Sequence, residues 1–382
     1  MESTSKSVNE HSLVIWIYMT FSHFAILWRQ KKLSIYELKH IIHTDYVIEW
    51  STIYFGIDDE TKLKSLGGIK KRGKLFGDLE MLWEYVLHVS TFEPNRQQLA
   101  GTSEDTLGMT LKKKYGVKRY KHVDLWKADL DIKKGGIEIH PLQDGQFGLV
   151  MWRQDISLYE KIDFWKPMSG MEIGMMPSKL AHILVNIWLW LTKKQQEVTF
   201  RDPFAWFGTT GFVANHMWHN FLWSDINITP LKSNKKWRLA LPIAYPEKHF
   251  TVFKHDIHDP LTQPFLNHVD VIVTEWRLWP VIKKNPYKFT RKYGQATAIE
   301  AFQRGVADIV SIYTDLVQHA FAYMPKVSLV MTVPYYTFMD DDVVWEKLEE
   351  RVVSLGADVE QIDIYARKKQ LVGRRVVVVR KR

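Results

Sequence analysis

From residue 198 onward, short apolar, β-branched and aromatic runs alternate with helical segments, and no other feature restricts the fold as strongly. Strands are expected at 198–204, 221–226, 250–256, 269–274, 327–333, 360–365 and 375–379, and helices at 210–218, 296–323 and 343–355. The run Val269-Asp270-Val271-Ile272-Val273-Thr274 is nearly all apolar, as a strand buried on both faces should be. Alternation of this kind implies a mostly parallel α/β sheet with a ligand crevice at the carboxyl ends of its strands.

The front of the chain reads differently. Residues 12–28 and 45–55 read as strands and 33–43 as an amphipathic helix, with a further helix at 78–89. Gly136-Ile137-Glu138-Ile139 and Phe147-Gly148-Leu149-Val150 flank Asp144-Gly145, a hairpin signature. A boundary within 155–175 is expected, giving an α+β region over 1–160 and an α/β domain over 161–382. The run 12–28 is interrupted by Thr20, Ser22 and His23 and is too short to span a bilayer. It also lacks the basic start and small-residue cleavage site of a secretory signal, so a cytoplasmic protein without a membrane partner is expected.

Charge and composition narrow the partner. Lys and Arg number 52 against 43 Asp and Glu, a net +9 that favours a polyanion. Two basic clusters carry this expectation: Lys70, Lys71, Arg72 and Lys74, then Lys112, Lys113, Lys114, Lys118 and Arg119. With no Cys in the chain, disulfides, thiolate metal sites and Cys nucleophiles are excluded. The chain also has 16 Trp beside only 20 Gly, an unusual ratio.

The chemistry concentrates at strand ends. Asp202-Pro203-Phe204-Ala205-Trp206-Phe207-Gly208-Thr209-Thr210 joins the first strand of the α/β half to its first helix. A carboxylate, a tight turn and a helix N-terminus form a cradle for a small polar ligand. Asp225, in Leu222-Trp223-Ser224-Asp225-Ile226, ends the next strand and suits a ribose diol. Asp256 ends the third and can meet an adenine amine. His255-Asp256-Ile257-His258-Asp259 is read in that role rather than as a metal site, and Asp340-Asp341-Asp342 as a helix cap. There is no Gly-x-Ser-x-Gly elbow and no Walker-type loop.

Asp202-Pro203-Phe204-x-x-x-Gly208-Thr209 followed by Ser224-Asp225-Ile226 resembles the S-adenosylmethionine site of class I methyltransferases. More narrowly, it resembles the THUMP-type tRNA guanine-N2 methyltransferases and their bacterial relatives. Gly174-Met175-Met176-Pro177-Ser178-Lys179-Leu180-Ala181 with Asn186 is similar to the family segment that closes over the cofactor. Val269 to Glu275 is similar to the strand that leads to the catalytic loop, and Tyr365 to Arg375 to the last hairpin. The likeness covers about 150–382, and reaches loosely to Ile26-Leu27-Trp28-Arg29-Gln30 and Leu33-Ser34.

The resemblance implies a Rossmann-like domain with a mostly parallel seven-stranded sheet, preceded by a THUMP-like RNA-binding region. It implies S-adenosyl-L-methionine as cofactor, with tRNA or another structured RNA as partner and a monomeric enzyme. Asp202, Gly208 and the backbone near Trp206 would hold the methionine end, with Pro177, Pro203, Phe204 and Thr209 around it. Asp225 and Ile226 would meet the ribose and Asp256 the adenine. In the loop Glu275-Trp276-Arg277-Leu278-Trp279-Pro280, Glu275 would orient an exocyclic amine, most simply N2 of guanosine, and Arg277 would stack on the base. A DNA amino-methyltransferase and a catalytically inactive RNA-binding relative are the alternatives.

The chain departs from this family in one repeated way. Trp stands at family glycine positions: Trp28, Trp152, Trp165, Trp188, Trp190, Trp206, Trp223, Trp276 and Trp279. A Trp in the cofactor turn blocks the close backbone approach that glycine permits. A codon UGA that encodes glycine in the source, read as Trp in this translation, accounts for both the positions and the composition.

Overall fold

The computed structural model describes residues 21–39, 42, 45–57, 63, 66–89, 98–101, 107–123, 136–142, 145–170, 175–192, 197–238, 250–260, 268–275, 294–324, 326–336, 343–366 and 372–382. The chain divides into two compact units, 1–156 and 157–382. No helix among the described residues is long and apolar enough to cross a membrane.

The first unit contains β1 (His23–Leu27), α1 (Lys31–Lys39), β2 (Tyr46–Glu49), β3 (Thr52–Phe55), β4 (Ile69–Phe76) and α2 (Leu79–Val89). It continues with β5 (Leu99–Gly101), α3 (Met109–Tyr115), β6 (Tyr120–His122), β7 (Ile137–Pro141) and β8 (Phe147–Arg153). The eight strands form a sheet in the order β2-β3-β1-β4-β8-β7-β5-β6. Only the pairings of β5 with β6 and β7 are parallel. Of the strand expected over 12–28, the described part is β1, and residues 1–20 lie outside the described residues. The expected strand 45–55 is two strands, β2 and β3, because the chain turns at Trp50 with φ +56. The helix expected over 33–43 is α1 in its first part, since α1 ends at Lys39 and Ile42 is not helical; residues 40, 41 and 43 lie outside the described residues.

One basic cluster is not what its charge suggested. The stretch around Lys70 to Lys74 is β4, and both Lys71 and Arg72 are buried there. Lys71 is fully buried, its Nζ 2.6 Å from Oε1 of an equally buried Glu138. Glu138 also accepts from Arg153 Nε at 2.5 Å and meets His140 Nε2. Although burial opposes its ionisation, His140 and Lys71 hold the Glu138 carboxyl down at about 2. Neither Lys71 nor Arg72 is at the surface: as consecutive strand residues they point to opposite faces, and both faces of β4 are covered at this point. Lys70 and Lys74 are half-buried, and Lys112, Lys113, Lys114, Lys118 and Arg119 are exposed. At the start of β4's approach, the buried carboxylate of Glu37 accepts from the N–H groups of Gly67 and Gly68 at 2.8 and 2.6 Å.

The second unit begins within α4 (Ile156–Glu160) and continues with a π-helical turn (Lys161–Trp165) and α5 (Ser178–Leu191). Then follow β9 (Thr199–Asp202), α6 (Thr209–His216), β10 (Asn220–Asp225), α7 (Thr229–Arg238), β11 (Phe250–Lys254) and β12 (Val271–Glu275). The rest is α8 (Gln295–Tyr323), β13 (Ser328–Tyr336), α9 (Val343–Ser354), β14 (Ala357–Tyr365) and β15 (Val372–Lys381). The seven strands run β11-β10-β9-β12-β13-β15-β14. The first five are parallel, while β15 is antiparallel to both neighbours. This is the mostly parallel, Rossmann-like seven-stranded sheet expected from the sequence. The Val run of β15 and the apolar β12 and β13 are buried, packed on one face by α8 and α9 through Tyr313, Leu316, Val317 and Leu348. The strand order reverses between β9 and β12, so the crevice opens between the ends of those two strands.

Candidate functional site

Asp202 ends β9 and Glu275 ends β12, so the reversal of strand order brings the two carboxylates to one cleft. The cleft holds about 340 Å³ and is also lined by Met175, Phe204, Trp206 and Asp225. That volume lies at the lower end of small-molecule sites.

Asp202 is buried and almost fully engaged. Thr210 donates to one oxygen at 2.5 Å, while Thr274 and, at 3.0 Å, the Phe204 N–H donate to the other. Burial pushes its carboxyl up to about 7 despite these donors. Thr210 and Thr274 carry no sequence motif of their own. The available signals were a hydroxyl in the first turn of the helix after the acid and another one residue before Glu275.

The turn from Asp202 into α6 is held to the neighbouring strand. Asp225, at the end of β10, accepts from the Trp206 N–H at 3.0 Å and from the Asn227 N–H at 2.9 Å. Burial raises its carboxyl, and these backbone donors oppose the rise. Gly208 caps α6 at φ +77, where a Cβ would also fall 2.3 Å from the Trp223 ring. Trp223 is fully buried beside Phe212 and Phe250, and its Nε1 has no partner among the described residues. Gly208 and Gly211 supply the space it fills.

Trp206 itself has φ +38, a region that side chains with a Cβ seldom adopt, and its ring stacks on Phe207 at 4.4 Å. Trp218 has φ +66 and sits just past α6. There its N–H reaches Asn215 O at 3.1 Å and the His219 N–H reaches Ala214 O at 3.0 Å. Those two bonds define the Schellman end of a helix, whose left-handed residue is usually glycine. Trp50 is the first residue of the two-residue loop between β2 and β3, again a glycine position in hairpins with a positive φ there. Among the described residues, the non-glycine residues with positive φ are these three, all Trp, and none is Asn, Asp or His.

Lys166 was not anticipated. It follows the π-helical turn, is buried, and donates from Nζ to Thr209 Oγ1 at 2.8 Å, at the start of α6. Burial lowers it to about 7, and the nearby Asp163 opposes that shift. Asp163 accepts from the Ser178 N–H at 2.9 Å, which fixes the start of α5 just after Pro177. Arg374 on β15 was also missed, and it pairs with Glu275.

Of the residues singled out from sequence, Asp202, Phe204, Trp206, Thr209, Asp225, Ile226 and Glu275 line the one cleft. Pro177 and Pro203 are buried beside it in sequence without lining it, and Gly208 forms its turn. Asp256 stands outside the lining, half-buried, and accepts from the His258 N–H at 3.1 Å in the turn after β11. Trp276, Arg277 and Pro280 lie outside the described residues.

No known protein family matches this chain. No curated protein is similar to it either. Among solved structures it is similar to a METTL16 methyltransferase domain, at 11% identity and TM-score 0.41, over 59% of this chain and 94% of that one. It is similar to magnesium protoporphyrin IX methyltransferase from Synechocystis with bound SAM, at 10% identity and TM-score 0.35, over 59% and 91%. A methyltransferase from Pyrococcus furiosus is similar at 10% identity and TM-score 0.33, over 58% and 93%.

Proposed function

We propose that the second unit is an S-adenosyl-L-methionine-dependent methyltransferase acting on an exocyclic amine of a nucleic-acid base, N2 of guanosine in tRNA. The observation that carries this reading is the convergence of Asp202, Asp225 and Glu275 in one cleft at the reversal of strand order. The residues suit the cofactor. Asp225 offers a carboxylate to a ribose diol, and Asp202 fixes, through Thr210 and the Phe204 N–H, the turn that would hold the methionine end. When bound, the cofactor would supply a methyl group carried on a sulfonium, with a neutral thioether as the leaving group for the amine's lone pair to displace. Glu275 accepts an N–H of the amine, which aims the lone pair and gives the leaving proton an acceptor. The exposed Lys112, Lys113, Lys114, Lys118 and Arg119, with Lys70 and Lys74, grip RNA phosphates in a THUMP-like manner. Methyl transfer to tRNA and to duplex DNA at matched salt, with the product nucleoside identified by mass, tests the reading. Methylation of DNA alone, or no binding of S-adenosylhomocysteine, would refute it.

The same reading requires glycine where the cofactor turn is tightest. Trp50, Trp206 and Trp218 occupy backbone conformations that suit glycine, which supports a native chain with glycine at these positions. At Trp223 the backbone gives no such signal. The mass of the native peptide from Asp202 to Asp225, taken from the source, tests this directly at 206, 218 and 223.

A further inference from the structure

We propose that Arg374 is a positioning residue for methyl transfer: its Nε holds Oε1 of Glu275 and leaves Oε2 to accept the substrate amine. This rests on the reading of the cleft as an amine methyltransferase site. Arg374 stands 99 residues beyond Glu275, on β15, and reaches past β13 to the end of β12. The side chains are 3% and 9% exposed, so water cannot replace the pair.

The guanidinium is fixed from three directions. Nε is bonded to Glu275, Nη2 donates to Met175 O at 3.3 Å, and the Tyr365 ring lies 5.7 Å beneath the guanidinium carbon. Met175 and Glu275 both line the cleft, so one side chain couples the acceptor to the segment that borders the cofactor space. Burial alone pushes the Glu275 carboxyl up, toward a protonated acid unable to accept an N–H, and Arg374 opposes this by charge and by hydrogen bond. Among the described residues, the strands paired with β12 offer no substitute cation. On β9, Asp202 is taken up by Thr210, Thr274 and the Phe204 N–H, and Arg201 donates to Ser224 at 3.4 Å. On β13 the residues are uncharged, the titratable ones being Tyr335 and Tyr336. A lysine would keep the charge but lose the planar fork that reaches both Glu275 and Met175.

The test compares Arg374→Gln, Arg374→Lys and Glu275→Gln in the full chain carrying Trp206→Gly, since the reading requires glycine in that turn. Affinity for S-adenosylhomocysteine should stay within about twofold of the parent in all three. In Arg374→Gln the acid limb of the kcat/KM profile should move up by about one to three pH units. In Arg374→Lys the limb should return toward the parent while kcat stays depressed. A fall in rate with no shift of the limb would show a merely structural role and overturn the proposal. A second readout does not need turnover: the carboxyl signal of Glu275 in ¹³C-Glu-labelled protein, assigned through Glu275→Gln. Equal titration of that signal in parent and Arg374→Gln overturns the proposal. A parent protein that transfers no methyl while this signal does shift refutes the amine-methyltransferase reading instead, and with it the role in transfer.

Discussion

Replacing Trp218 separates two effects that act together in this chain, the loss of an indole and the relief of a left-handed backbone. Trp218 is 50% exposed, so any truncation removes the half of its ring surface that is covered. Trp218→Gly and Trp218→Ala lose that contact equally, and their difference isolates the backbone. A Cβ-bearing residue in the left-handed region costs about 1–2 kcal/mol. Glycine's extra freedom in the unfolded chain offsets about 0.5–1 kcal/mol of the relief. Trp218→Gly should therefore be more stable than Trp218→Ala by about 1 kcal/mol. Trp190 within α5 is the control, because its helical backbone has no positive φ. There alanine should exceed glycine by about 1 kcal/mol. The swing between the two sites is roughly 2 kcal/mol, well resolved by urea midpoints at constant m-value. An alanine variant at 218 as stable as the glycine variant would refute the argument that this position is built for glycine.

Four further outcomes follow from the same geometry. Asp202 keeps its proton up to about 7 when folded, whereas an unfolded aspartate loses it near pH 4, so the folded state binds more protons across that interval. Stability therefore falls as pH rises between them, by at most about 1.4 kcal/mol per unit, and Asp202→Asn should flatten that slope in urea titrations at pH 5 and pH 7. Lys71→Met should cost about 3 kcal/mol, since Glu138 stays buried with Arg153 as its remaining cation. The same substitution should leave the salt dependence of RNA binding unchanged, whereas changing Lys112, Lys113 and Lys114 to Gln should reduce the slope of log affinity against log salt by about 0.7 per lost phosphate contact. Glu37→Ala strips the Gly67 and Gly68 N–H groups of their buried acceptor and should cost about 3 kcal/mol, read from the first unit's unfolding transition.

What could be read in advance, and what could not, divides by sequence distance. Asp202, Asp225 and Glu275 were legible because each ends an apolar run, and a parallel sheet gathers strand ends without further instruction. Lys71 was misread because its partner Glu138 is 67 positions away, and nothing in a run of basic residues announces that an opposing strand will bury it. Arg374 was hidden by the same logic at 99 positions. The hairpin at Trp50 failed for a different reason. Tyr46-Val47-Ile48-Glu49-Trp50-Ser51-Thr52-Ile53-Tyr54-Phe55 reads as one unbroken strand, since Trp favours extended structure and offers no turn signal. With glycine at 50 the same stretch would read as two strands joined by Gly-Ser, an ordinary two-residue turn. The errors of local reading thus fall where a Trp holds a positive φ, while the errors of long-range reading fall where a buried ion pair closes across the sheet. These causes are physically independent. The first would vanish with glycine at such a position, and the second would remain whichever residue stood there.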